Sequence, residues 1–202
     1  MGIRAVVFDI GGVLEHTPPL GVNARWERRL GLEPGDIDRR LADVWRDGSL
    51  GTITEAEAEA AIGQRLGLAD TDLRTLMADI WTEYVGTANT ALIEYCRGLR
   101  PRYRTGILSN SFVGAREREL AAYHFDEITD DLVYSHEVGL AKPDPAVYEL
   151  TWTRLGVDPT EMVFVDDTAR CVEAAAALGI HAIRCTNAEQ VIADIEAITC
   201  SQ

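Results

Sequence analysis

Asp9 closes the apolar run Ile3-Arg4-Ala5-Val6-Val7-Phe8 and opens the turn Ile10-Gly11-Gly12-Val13-Leu14. A carboxylate that a buried strand delivers into a glycine-rich turn is placed to act as a nucleophile. Three later segments answer it: Ser109-Asn110-Ser111, Lys142-Pro143-Asp144 and Asp166-Asp167. Together they offer a nucleophile, oxyanion binders, a cation and metal ligands, the parts of a phosphoryl-transfer site. One part is missing. The position two after Asp9 is Gly11, which carries no acid.

Each residue also has a plainer reading. Asp9 attacking phosphorus would split one hard step into two and would need a cation to damp repulsion between anions; alternatively it caps the glycine turn. Gly11 and Gly12 let the backbone turn tightly and approach a ligand, and the Gly11 carbonyl is available to a metal; alternatively they form a flexible loop. The Ser109 hydroxyl and the amides of Asn110 and Ser111 can hold phosphate oxygens ahead of a helix N-terminus; alternatively Ser109 is an N-cap. Lys142, the only lysine among 19 basic residues, is aimed inward by the following proline to neutralise nucleophile and phosphate; alternatively it is a solvated loop residue. Asp166 and Asp167 suit Mg²⁺, which takes one or two carboxylates plus water and substrate; alternatively Asp167 caps a helix and Asp166 is merely exposed.

The elements that must position these groups follow from periodicity. Arg4 to Phe8 reads as a strand covered on both faces, and Gly11 to Gly21, with three glycines and two prolines, as loop. Helical signals then run from Val22 to Val85: Ala24–Leu30 stopped by Gly31, Asp36–Trp45, a helix opened by the Thr54/Glu57 capping box and ending near Leu66, and Asp70–Val85. A βα rhythm follows. Helices are expected at Ala91–Leu99, Gly114–Ala122, Asp144–Gly156 (Pro first, Gly last), Thr168–Leu178 and Ala188–Ala197. Strands are expected at Tyr103–Leu108, Leu132–Tyr134, Met162–Val165 and His181–Ile183. The alternation predicts an α/β fold, a Rossmann-like three-layer parallel sheet core with a small inserted helical cap. Its core would span residues 1–17 and 87–202 and its cap 18–86. Ligands of such sheets sit at the carboxyl ends of the strands, where Asp9, Ser109 and Asp166-Asp167 all fall.

The 202 residues suffice for one domain with a small insert, and the 47% hydrophobic fraction for a packed core. A net charge of −14 repels polyanions, so nucleic acid is excluded as a partner. No apolar run approaches the ~20 residues that span a bilayer, and no basic run suits a membrane surface. Cys96, Cys171, Cys185 and Cys200 form no CxxC pair, which sets a reducing cytoplasm as the expected location.

These residues, in this order, resemble the haloacid dehalogenase (HAD)-like hydrolase superfamily over essentially the whole chain. Phe8-Asp9-Ile10-Gly11-Gly12-Val13-Leu14 is similar to its first motif, Leu108-Ser109-Asn110-Ser111 to its second and Lys142-Pro143-Asp144 to its third. Val163-Phe164-Val165-Asp166-Asp167, with Glu173-Ala174-Ala175 and Leu178-Gly179, resembles the fourth. The insert resembles the family's helical (C1) cap. Gly48-Ser49-Leu50-Gly51-Thr52-Ile53-Thr54 is similar to the subgroup of small sugar-phosphate phosphatases and the phosphatase domain of epoxide hydrolases.

The resemblance implies a phosphoric monoester hydrolase. Asp9 would be nucleophile and Mg²⁺ ligand, and Ser109 with Asn110 would bind the phosphoryl group. Lys142 would steady Asp9 and the phosphate. Asp167 would ligate the metal directly, Asp166 directly or through water, and Gly11 through its carbonyl. Family phosphatases usually carry a second Asp at position 11 as general acid and base, a function typically worth ~10²–10⁴-fold. Its absence implies slow turnover or a borrowed group, with Glu15 and His16 nearest. The expected activity is therefore Mg-dependent hydrolysis of small phosphorylated metabolites by a monomer or homodimer. A metal-free carbon–halogen hydrolase and a catalytically silent binding protein are the alternatives.

Overall fold

The computed structural model describes residues 2–200. Strand β1, Ala5–Phe8, is fully buried. Two-residue strands β2, Glu15–His16, and β3, Thr87–Ala88, form an antiparallel pair flanking the insert. The loop expected from Gly11 to Gly21 thus contains a strand, held by a partner some seventy residues away. Between β2 and β3 lie four helices: α1 Val22–Leu30, α2 Asp36–Ser49, α3 Glu55–Leu66 and α4 Asp70–Val85. The capping box expected at Thr54 forms, with Glu57 Oε2 accepting from the Thr54 amide at 2.8 Å. Helix α2 runs past Trp45 to Ser49, because Gly48 continues the helix.

The rest alternates. Helix α5 Thr90–Leu99 leads to β4 Arg104–Ser109, α6 Ala115–Tyr123, the one-turn α7 Phe125–Ile128, β5 Asp131–Tyr134 and the one-turn α8 Ser135–Val138. Then come α9 Pro145–Leu155, β6 Met162–Asp166, α10 Ala169–Ala177, β7 His181–Arg184 and α11 Ala188–Cys200. The main sheet has the order β5-β4-β1-β6-β7, with every pairing parallel. The α/β Rossmann-like fold expected from the alternation is the one observed.

Alternate side chains of β1 enter opposite layers. Val6 and Phe8 pack with Ile107, Phe125, Val165 and Val191 on one face. Ala5 and Val7 pack with Leu108, Val147, Tyr148 and Phe164 on the other. Burying a side chain such as Phe8 stabilises the fold by about 1.5–3 kcal/mol, which is why a continuous apolar run makes a central strand. The insert has its own apolar cluster of Trp26, Ile37, Leu41, Ile62, Leu76 and Trp81. Phe112 and Val113, from the loop after β4, join it. Phe112 fits because residue 48 is glycine: a Cβ there would lie 2.1 Å from the Phe112 ring.

No helix among the described residues is long and apolar enough to cross a membrane. The register pairs Phe8 with Ile107 and with Val165. Asp9, Ser109 and Asp166 therefore emerge side by side at one carboxyl edge of the sheet.

Candidate active site

Asp9 continues β1, its amide donating to the Val165 carbonyl at 2.9 Å. Its Oδ1 accepts from the Ile10 amide at 2.8 Å and from Lys142 Nζ at 2.8 Å. The same ammonium donates to Asp166 Oδ2 at 2.7 Å. Asp166 Oδ1 accepts from the Thr168 amide at 2.8 Å. Lys142 and Asp166 are both buried, so the solvated-lysine and exposed-Asp166 readings do not hold. An ammonium this deeply buried survives only because two carboxylates compensate its lost hydration. Burial works against the charge on Lys142, but Asp9 and Asp166 outweigh it and hold its pKa above the ordinary value. Burial pushes Asp9 up to about 6; Lys142 opposes that rise and Asp166 adds to it.

Oxygen atoms of Asp9, Asp166 and Asp167 lie within 4.8 Å of one another, with Asp167 on the exposed side. Three carboxylates against one ammonium leave excess negative charge, and all three offer hard oxygen donors. That set fits a hard divalent cation such as Mg²⁺. Gly12 makes room for the Asp167 side chain. Its φ is +73°, and a Cβ there would lie 2.5 Å from Asp167 Oδ2. Gly11 has no such constraint, since a Cβ there would meet only Thr17 Oγ1, at 3.8 Å.

The second segment is divided in its work. Ser109 is buried at the end of β4 and lines the cavity above the site. It caps no helix, since α6 begins after Gly114. Asn110 spends its side chain on the backbone of Lys142: Nδ2 donates to the Lys142 carbonyl at 2.9 Å, and Oδ1 accepts from the Lys142 amide at 2.8 Å. The amide of Ser111 donates to Ser135 Oγ at 2.8 Å, so it is already occupied rather than free for an anion. Ser135 Oγ in turn donates to the Ser49 carbonyl at 2.8 Å, which ties α8 to the end of α2. Ser111 Oγ lies 2.6 Å from His136 Nδ1, and burial lowers the pKa of that imidazole. This serine–histidine linkage carried no sequence signal.

A cavity of about 600 Å³ opens on the site between helices α1, α2 and α4 and the sheet edge. Gly11, Ser109 and Asn110 form its floor, and Trp45, Met77, Trp81, Tyr84 and Phe112 much of its wall. Of the two residues nearest Gly11 that carry protons, Glu15 is buried and lines this cavity, whereas His16 is exposed. Glu119 of α6 lines it too, and sequence reasoning passed it over. Glu15 and Glu119 are each 1% exposed. Burial pushes Glu15 up to about 9, with Glu119 and Asp9 adding to the rise. Burial likewise pushes Glu119 up to about 8. The Tyr134 hydroxyl stands near Glu119 without a well-formed hydrogen bond, so Tyr134 Oη and Glu119 Oε2 are both unpartnered.

An acid-flanked lysine and an acidic edge stand at the carboxyl ends of a parallel sheet beneath a cavity, which is where α/β proteins of the Rossmann-like class bind their ligands. The chain belongs to the haloacid dehalogenase-like hydrolase family, whose profile matches residues 3–179. It is 30% identical over 193 residues to Phosphatase MT3486 of Mycobacterium tuberculosis, covering 90% of this chain and 87% of that one. It is 26% identical over 207 residues to mouse Acyl-CoA dehydrogenase family member 10, covering 96% of this chain but only 19% of that protein. A HAD family enzyme from Bacteroides thetaiotaomicron, solved as a magnesium complex, superposes with a TM-score of 0.77 at 22% identity. That match covers 92% of this chain and 94% of the other, and establishes the shared fold.

Proposed function

We propose that this hydrolase is a Mg²⁺-dependent phosphatase of small phosphorylated metabolites that works through a phosphoryl group carried on Asp9. One observation carries the reading: Lys142 Nζ bridges Asp9 Oδ1 and Asp166 Oδ2 while Asp167 completes an oxygen cluster beside them. Asp9 and Asp167, with Asp166 and the Gly11 carbonyl, would hold the metal. When bound, that ion would offset the charge of the incoming phosphoryl oxygens.

The chain's own groups set the chemistry. Asp9 Oδ1 already accepts two hydrogen bonds, which leaves Oδ2 as the attacking oxygen. As Oδ2 bonds to phosphorus, the bond from phosphorus to the ester oxygen breaks. The departing alcohol oxygen takes up a proton. Water then attacks phosphorus, the bond to Asp9 breaks, and inorganic phosphate leaves. Lys142 holds Asp9 ionised and balances charge through both steps. The Ser109 hydroxyl would bind a phosphoryl oxygen, and Asn110 would act by fixing the Lys142 backbone. No acid stands at Gly11, so protons pass to and from solvent and turnover is slow.

Residues 18–86 serve as a cap over a core formed by 1–17 and 87–202. The cap would select the alcohol half of the substrate and keep bulk water from the site. The curated relative named a phosphatase supports this reading. Carbon–halogen hydrolysis is disfavoured by the excess negative charge at Asp166 and Asp167, which a halide leaving group would have to approach. The test is phosphate release from phosphorylated metabolites with Mg²⁺ and with EDTA, beside halide release from 2-haloacids. Metal-dependent phosphate release supports the reading. Halide release that survives EDTA, or ligand binding with no turnover of either kind, overturns it.

A further inference from the structure

The cavity has an unusual lining. Three carboxylates face it, from Glu15, Glu83 and Glu119, and among the described residues no lysine or arginine lines it. The nearest cations are committed elsewhere. Lys142 is held by Asp9 and Asp166. Arg118 stacks on Trp81 with its Cζ 4.0 Å from the ring centroid and is paired with Glu55. Glu83 is partly satisfied by the Val22 amide at 3.1 Å. Glu15 Oε1 is buried with no hydrogen-bond partner, and Glu119 Oε2 has the Tyr134 hydroxyl near it without a well-formed bond. A buried polar atom without a well-formed bond costs free energy, so two of them on one cavity call for a ligand that satisfies them. Trp45, Trp81, Tyr84 and Phe112 form an aromatic part of the remaining wall, beside the neutral polar Thr17, Asn23, Ser49 and Ser111.

We propose, building on the phosphatase reading, that this cavity takes the alcohol half of a phosphomonoester whose alcohol bears a positively charged nitrogen. The cation would lie between Glu15 and Glu119 and against the aromatic wall. An anionic group finds no lysine or arginine on this lining to pair with, and three acidic residues instead. A polyhydroxylated group has the acids and Thr17, Asn23, Ser49 and Ser111 as partners but draws nothing from the ring faces. A cationic nitrogen uses both features, since ring faces attract cations and buried acids need a counter-charge.

The experiment separates this inference from the phosphatase reading. Choline is titrated into EDTA-treated full-length protein, followed by tryptophan fluorescence and by calorimetry. The same titration uses the uncharged isostere 3,3-dimethyl-1-butanol and glycerol. Wild-type hydrolysis of p-nitrophenyl phosphate with Mg²⁺ is measured separately. We expect choline to bind at least about tenfold more tightly than its isostere, and Glu119→Gln to remove that preference. Glu15→Gln is the second variant should the first not fold. Equal or tighter binding of the isostere, or a preference for glycerol, overturns the cation site. No choline binding in a protein that hydrolyses p-nitrophenyl phosphate also overturns it and leaves the phosphatase standing. Choline preference in a protein without phosphatase turnover supports the cation site and sinks the phosphatase.

Discussion

Replacing Glu119 by glutamine should stabilise the protein, and the gain should grow with pH. The carboxyl of Glu119 is buried and pushed from 4.5 up to about 8. Its pKa is raised in the folded state, so between these values the folded chain holds a proton that the unfolded chain has lost. Stability then falls as pH rises through that window, by about 1.4 kcal/mol per pH unit for one group. Below 4.5 both states are protonated and the term vanishes. At pH 7 the interval from 4.5 is about 2.5 units, equivalent to about 3 kcal/mol. Glutamine has no such penalty, though an unsatisfied amide costs about 1–3 kcal/mol at every pH. The diagnostic is therefore the slope of the difference and not its absolute value. Urea unfolding of both proteins in EDTA, from pH 5 to pH 8, gives that slope. We expect the variant to gain about 1.4 kcal/mol per pH unit relative to wild type between pH 5 and 7. A difference that stays flat over this range would show that Glu119 is ionised in the folded state and refute the reasoning.

Three further perturbations follow. Lys142→Met leaves Asp9 and Asp166 as facing buried carboxylates, and should cost about 3–5 kcal/mol in urea unfolding at pH 7.5 and abolish metal-dependent phosphate release. Gly12→Ala puts a Cβ 2.5 Å from Asp167 Oδ2 at a φ of +73°. It should shrink the rise in melting temperature on adding Mg²⁺, because the displaced Asp167 no longer ligates well; an unchanged rise would place the metal elsewhere. Gly11→Asp puts its Cβ in ordinary contact with Thr17 Oγ1, at 3.8 Å, in an unstrained backbone conformation. It should raise the turnover of p-nitrophenyl phosphate, by up to the ~10²–10⁴-fold that general acid–base help supplies, and no gain would show that proton transfer does not limit the rate.

The sheet edge that carries Asp9, Ser109 and Asp166 was legible in the sequence because buried strands announce themselves. Ala5–Phe8, Arg104–Ser109 and Met162–Asp166 are apolar runs, and the polar residue that ends each one has to stand at the sheet edge. Lys142 was legible as the only lysine before a proline; its full burial was not, since that depends on Asp166 reaching it from β6. The cavity was the illegible part. Helix α6 reads Ala-Arg-Glu-Arg-Glu-Leu-Ala-Ala-Tyr, and nothing local separates exposed Glu117 from buried Glu119. The difference comes from elements distant in the chain that cover one side of the helix. Glu15 and His16 read alike as loop residues for the same reason: the pairing of β2 with β3 decides which of them faces inward. The role of Asn110 is similar. The sequence offers its amide to a phosphate oxygen and says nothing of its side chain, which is spent on the Lys142 backbone thirty-two residues away.

The most direct test of the account is phosphate release by wild type and Asp9→Asn, from p-nitrophenyl phosphate and a set of phosphorylated metabolites, with Mg²⁺ and with EDTA. The account predicts release that requires the metal and disappears in the variant. Release that persists in EDTA or in Asp9→Asn would contradict it.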